Sequence, residues 1–162
     1  MRVIAIAALV AAGGMFVVGY PPNPELRRSA VASRETLAST LSPPVEISAM
    51  LDRACRDCHS NETRWPWYAG LGLPSRFMEK QVEAGRRALN FSEWTVRSGR
   101  TPGMAVGALT AACESVRQGR MPPVLYRLTH RSAELTGRDV DGFCHWTMGE
   151  FYTIREANAA GK

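Results

Sequence analysis

The run Cys55-Arg56-Asp57-Cys58-His59 constrains this chain more than any other feature, because it sets two thiols and an imidazole within five consecutive residues. Thiols three residues apart on one helical turn face the same side. There they can bond the two vinyl groups on one edge of a porphyrin, and the imidazole of the next residue then lies under the iron. Cys-x-x-Cys-His is for this reason the attachment signature of c-type haem. Two other readings ask for partners that the sequence does not supply. A thioredoxin-like redox pair belongs in a βαβ context. Half a zinc site needs a second closely spaced pair, whereas the remaining cysteines, Cys113 and Cys144, stand 31 residues apart. The expectation is one covalent haem c, bonded at Cys55 and Cys58, with His59 as the proximal iron ligand.

Such attachment takes place outside the cytoplasm, and the chain begins with a segment suited to export. Val3 to Tyr20 is uncharged over eighteen residues, follows only Arg2, and ends at the breaker Pro21-Pro22-Asn23-Pro24. A spanning helix takes roughly 17–25 apolar residues, whereas a signal-peptide core is nearer 7–15. Residues 1–20 are therefore read as a membrane anchor, with a cleaved signal peptide as the alternative. Arg27, Arg28 and Arg34 follow the span, which the positive-inside rule disfavours for an exported domain. The haem chemistry overrides that bias and places the domain in the periplasm, on the bacterial inner membrane, where nucleic acid is no partner. Residues 21–44, rich in Pro, Ser and Arg, read as a partly extended tether, 45–158 as the haem domain and 159–162 as a tail. With 45 % hydrophobic and 22 % charged residues the chain is too apolar for disorder, and it shows neither heptads nor internal repeats.

Periodicity within 45–158 is helical. Ile47, Met50, Leu51, Ala54, Cys55 and Cys58 form one stripe at i, i+3, i+4, i+7, i+8 and i+11, which puts both motif cysteines on the buried face of a first helix. A second helix runs from Pro74-Ser75 to about Leu89, with Phe77, Met78, Val82, Gly85 and Leu89 inward. A third opens with Thr101 as N-cap and Pro102 at its first position, presents Val106, Leu109, Cys113 and Val116, and stops at Gly119. Thr136-Gly137-Arg138-Asp139 is a weak capping box for the last, whose face is Val140, Phe143, Cys144, Thr147, Phe151 and Ile154. Strand-like alternation is absent.

With these residues in view, the chain resembles the haem-binding domain family of exported, membrane-anchored c-type cytochromes, which look like relatives of class I cytochromes c. The likeness rests on CRDCHSNETRWPWY (55–68), GRRALNFSEW (85–94), RMPPVLYRLTH (120–130) and LT (135–136), followed by the final helix with Trp146. It implies an all-α, four-helix, class I cytochrome c-like monohaem domain behind an N-terminal transmembrane helix. It implies no particular substrate.

The sixth iron ligand is expected to be Met121. Pro122 and Pro123 stiffen the strap that presents it, and the Met-Pro loop of class I cytochromes points the same way. His130 is the alternative, with Met104, Met78 and an open site behind it, and His145 is read as a surface or half-buried histidine. Cys113 and Cys144 form an even pair in an oxidising compartment and are expected to be a disulfide, the other reading being two packing residues. Trp65, Trp67, Tyr68 and Tyr126 are candidate walls of the haem pocket, although aromatic residues also serve as plain core. Residues 53–100 hold nine Arg and Lys against five Asp and Glu, +4 of the total +5, and this excess suits haem propionates, an acidic partner or anionic headgroups.

The expected function is single-electron transfer between donor and acceptor proteins, as a carrier rather than an enzyme. The alternatives are a haem-based peroxidase or gas or redox sensor with a labile distal ligand, and a structural haem subunit of a larger membrane redox complex.

Overall fold

Apolar residues three and four apart set the inner faces of the helices that make the core of the described residues. The computed structural model describes residues 23–27, 36–94 and 102–160. The expected anchor at 1–20 and the cap Thr101 lie outside the described residues. Among those described there are eight α-helices and no strand: α1 (Pro24–Arg27), α2 (Leu37–Leu41), α3 (Val45–Ala54), α4 (Arg56–His59), α5 (Gly72–Ala88), α6 (Pro102–Arg117), α7 (Val124–Thr129) and α8 (Gly137–Ala160). Single 3-10 turns occur at Trp67–Gly70 and Arg131–Ala133. The fold is all-helical. No helix among the described residues is long and apolar enough to cross a membrane.

The core lies between α6 and α8, which pack most extensively on each other. Val106, Leu109, Cys113 and Val116 of α6 are all buried, as the sequence pattern requires, and meet Phe143, Cys144 and Trp146 of α8. Ile47, Met50 and Leu51 of α3 close the same cluster. Burying side chains of this size contributes about 1.5–3 kcal/mol each. A disulfide joins Cys113 to Cys144, with a Cα–Cα distance of 5.1 Å. Gly119, at φ +66°, ends the run after α6 in the left-handed region that glycine enters without a Cβ clash.

The capping box of α8 is formed in both directions: the Thr136 N–H donates to Asp139 Oδ2 at 2.7 Å and the Asp139 N–H to Thr136 Oγ1 at 3.2 Å. Arg53 of α3 pairs with the same carboxylate at 2.6 Å and donates to the Ser132 and Glu134 carbonyls. Burial would raise the Asp139 pKa, but the Thr136 and Arg53 donors outweigh it and hold the carboxyl below its ordinary value. The cap thus ties α3 to the start of α8.

The arrangement departs from four helices in three places. The expected first helix breaks at Cys55 (φ −124°, ψ −35°), where the Cys58 and His59 N–H groups both turn back to the Cys55 carbonyl, so the motif occupies a corner between α3 and α4. The connection after Met121 contains α7, too short to show a period. The stretch read as a tether also enters the folded unit. Thr36 and Ser39 make a capping box for α2, Leu37 is 3 % exposed within the core, and its N–H donates to the Phe91 carbonyl at 2.8 Å.

Candidate functional site

The corner at Cys55 is held against α5 by a glycine. A Cβ on Gly85 would stand 2.4 Å from the Cys58 carbonyl oxygen, so only a bare backbone lets α5 approach α4 this closely. The end of α5 then wraps His59. The Leu89 carbonyl lies 3.0 Å from His59 Nδ1, the Phe91 N–H donates to the His59 carbonyl at 2.7 Å, and the Phe91 ring stacks on the imidazole at 5.9 Å. A carbonyl only accepts, so Nδ1 carries the proton and Nε2 keeps its lone pair. Burial lowers the His59 pKa against the opposing effect of the Leu89 and Gly85 carbonyls, which favours this neutral ring. Metal-binding histidines are commonly oriented through just such a bond from the other nitrogen.

Beyond His59, Asn61 donates through its side chain to Glu93 Oε1 at 2.6 Å and accepts from Asn90 Nδ2 at 2.9 Å, while its N–H donates to Ser92 Oγ at 3.0 Å. Residues 89–93 therefore clamp residues 59–61 from one side. On the other, Asp57 is buried and fully engaged: Arg64 donates to Oδ1 from its backbone N–H and Nε, and Tyr126 Oη donates to Oδ2 at 2.7 Å. Burial and that bond to Asp57 raise the Tyr126 pKa, keeping the phenol protonated. Its ring stacks on His130 at 4.2 Å.

Cys55 and Cys58 are both free thiols. Burial pushes Cys55 up to about 12 and Cys58 up to about 11, so neither is a spontaneously ionised nucleophile. Cys58 opens onto a cavity of about 330 Å³, within the range of small-molecule sites. Its wall is mostly apolar, with Phe77, Met78, Val82 and Leu125 beside Tyr68, Tyr126 and His130.

The predicted site residues do not all come together. Cys58, Tyr68, Tyr126 and His130 share this cavity, as does Met78. Cys55 and His59 lie at the corner, outside the lining. Met121 is 42 % exposed and outside the lining, although Pro123 of its strap belongs to it. Trp67 projects outward at 83 % exposure and Trp65 lies under the Arg27 guanidinium at 4.5 Å, so neither tryptophan walls the cavity. Met104 and His145 are exposed on α6 and α8.

A family model described as the haem-binding domain matches residues 14–148, which takes in the corner, its clamp and the whole cavity lining. The chain belongs to this haem-binding domain family. No curated protein and no solved structure gives a significant match.

The residues present suit haem. Two unoxidised thiols flank the corner while the other two cysteines are paired with each other, and the imidazole has its Nε2 lone pair available. Among the described residues no group of three or more His, Cys, Asp or Glu side chains could hold a metal ion by itself. The half-site for zinc thus finds no second half there.

Sequence reasoning missed the roles of Asp57, Asn61, Gly85 and Asn90 to Glu93. Each stood inside a quoted motif, and the available signal was the polar Asp57, Asn61, Asn90, Ser92 and Glu93 and the bare Gly85 close to the Cys-x-x-Cys-His run and within GRRALNFSEW.

Proposed function

We propose that the chain is a membrane-anchored periplasmic monohaem c-type cytochrome that carries single electrons between donor and acceptor proteins, acting as a carrier rather than an enzyme. The observation that carries this reading is the pairing of two free thiols, Cys55 and Cys58, with an imidazole whose Nδ1–H is fixed on the Leu89 carbonyl. Cys55 and Cys58 hold the haem covalently, and His59 presents Nε2 to the iron. When bound, haem supplies a one-electron iron couple whose potential follows from its ligands and its shielding from water. Gly85 and the 89–93 clamp keep the imidazole in place, and Phe77, Met78, Val82 and Leu125 give the cavity its apolar wall. The uncharged run 3–20 supports anchoring, and the export that thioether formation requires supports a periplasmic location.

The test is chemical. Wild-type protein is expected to keep its haem through acid–acetone extraction, and Cys55→Ser with Cys58→Ser to release all of it. Extractable haem in the wild type, or zinc in its place, overturns the proposal.

Met121 is the proposed sixth ligand, on its proline-stiffened strap. His130 is the second reading, and a specific observation favours it: the residue lines the cavity, with Nδ1 3.0 Å from Thr129 Oγ1 and 3.2 Å from the Tyr126 carbonyl. Met121→Ala is expected to lower the midpoint potential or produce high-spin iron, because loss of a thioether removes the ligand that favours the reduced state. An unchanged spectrum in Met121→Ala together with a changed one in His130→Ala assigns the position to His130.

A further inference from the structure

We propose that Tyr126 is a positioning residue that holds α7, and with it the distal ligand, over the haem cavity through its bond to Asp57 of the attachment motif. This rests on the haem reading of the site and names what keeps its distal side in place. The first observation is how α7 is held. It buries none of its six side chains within the protein, and Val124, Leu125 and Leu128 are 58 %, 61 % and 61 % exposed. Apolar packing against the protein therefore fixes this helix weakly, although it stands between both candidate ligands. Met121 precedes it by three residues and His130 caps its end. Arg127 pairs with Glu134 at 3.2 Å at the surface, where an ion pair contributes little. The Tyr126 phenol makes the firmer contact, donating to Asp57 Oδ2 at 2.7 Å across 69 residues of sequence. A charged acceptor makes such a bond about twice as strong as a neutral pair.

The second observation is that Asp57 is a fixed acceptor. It stands between Cys55 and Cys58, is buried, and takes two donors on Oδ1, the Arg64 N–H at 3.2 Å and Nε at 3.1 Å. Arg64 is itself held on the Asp52 carbonyl of α3 at 2.7 Å. The Asp57 carbonyl accepts from Thr63 Oγ1 at 2.7 Å, and Arg86 of α5 donates to that hydroxyl at 2.9 Å. With Oδ1 taken, Tyr126 supplies the donor that Oδ2 needs, since a buried charged oxygen without one is costly. The bond thus runs from the turn between the two attachment cysteines to the helix that carries the distal ligand. The Tyr126 ring also stacks on His130 at 4.2 Å with an interplanar angle of 12°, so the same residue orients that imidazole. Without the phenol, Asp57 stays where Arg64 holds it and α7 is free to lift from the cavity, opening the iron to small ligands.

The experiment compares the full chain, haem-loaded, with Tyr126→Phe, which removes one oxygen and keeps the ring on His130. Arg127→Gln is the comparison within the same helix. In Tyr126→Phe the Arg127 and His130 amides, which bond the Pro123 and Tyr126 carbonyls, are expected to lose at least about tenfold in protection from hydrogen exchange. The reduced protein is expected to bind carbon monoxide at least about tenfold faster, the weight of one hydrogen bond to a charged group. The low-spin signature of the distal ligand is expected to weaken while haem stays bound through acid–acetone extraction, and Arg127→Gln to match wild type throughout. Unchanged protection and carbon monoxide binding in Tyr126→Phe, with haem still covalent, overturn the proposal and leave the haem reading standing. Equal loosening by Arg127→Gln assigns the effect to the connection as a whole and overturns it as well. Loss of covalent haem or of cooperative melting in Tyr126→Phe makes Tyr126 a residue of the general fold, and the proposal falls. Haem that extracts from wild type overturns both readings.

Discussion

Gly85→Ala is expected to unseat the haem site, lowering both the melting temperature and the haem content per chain. The added Cβ would stand 2.4 Å from the Cys58 carbonyl oxygen, 3.0 Å from the carbonyl carbon and 3.1 Å from Cys58 Cβ. The first two are backbone atoms, so no rotamer change relieves the contact and α5 must retreat as a unit. Overpacking of this kind costs about 1–3 kcal/mol. The retreat also carries the Leu89 carbonyl away from His59 Nδ1, and a buried donor left without an acceptor costs about 1–3 kcal/mol more. Gly107→Ala is the internal comparison. Nothing lies within 4 Å of a Cβ there, in the middle of α6, and helix propensity predicts stabilisation of about 0.5–1 kcal/mol. Calorimetry and the haem-to-protein ratio of the two variants check this. If both behave alike, close approach of α5 is not what builds the corner.

The legible parts of the chain were those where one short-range rule suffices. The stripe Val106, Leu109, Cys113, Val116 is buried throughout because α6 has a single partner face, and the Thr136–Asp139 box closes as its spacing demands. Cys-x-x-Cys-His announced the cofactor by spacing alone. Among the described residues Phe77 and Met78 are periodic positions that stay outside the core, because α5 packs on the corner through Val82 and Gly85 and leaves both lining the cavity. What stayed hidden depends on long-range pairing. Leu37 reaches the core only because Phe91 offers it a carbonyl, and Arg27 leaves solvent only because Glu79 and Trp65 receive it. No local pattern marks such partners, since they lie more than 35 residues away in the chain. The ordering of Met121 against His130 is hidden for the same reason, because the sequence shows which strap is stiff but not which side chain faces the cavity.

Cys113→Ser with Cys144→Ser is expected to cost about 2–5 kcal/mol, a large share of the 5–15 kcal/mol typical of a domain, and to lower the melting temperature by roughly 10–20 °C. The bridge spans 31 residues and joins the two helices that carry the core, so its loss frees both the unfolded chain and the packing of α6 on α8. The effect should reach one part of the site and spare another. Cys55, Cys58 and His59 lie on a different corner, so covalent attachment of haem is expected to persist. The connection carrying Met121, α7 and His130 is closed at its base by this bond. It departs α6 with the Arg120 and Met121 N–H groups both on the Ser115 carbonyl, two residues beyond Cys113. Loosening there should weaken the distal ligand's spectroscopic signature at temperatures where the fold still stands. Mass spectrometry of protein alkylated before reduction tests the premise, since neither Cys113 nor Cys144 should be labelled. Labelling of both, or a double variant with unchanged melting temperature and intact distal ligation, would mean that the strap is held by Pro122, Pro123 and the Ser115 carbonyl without the bridge.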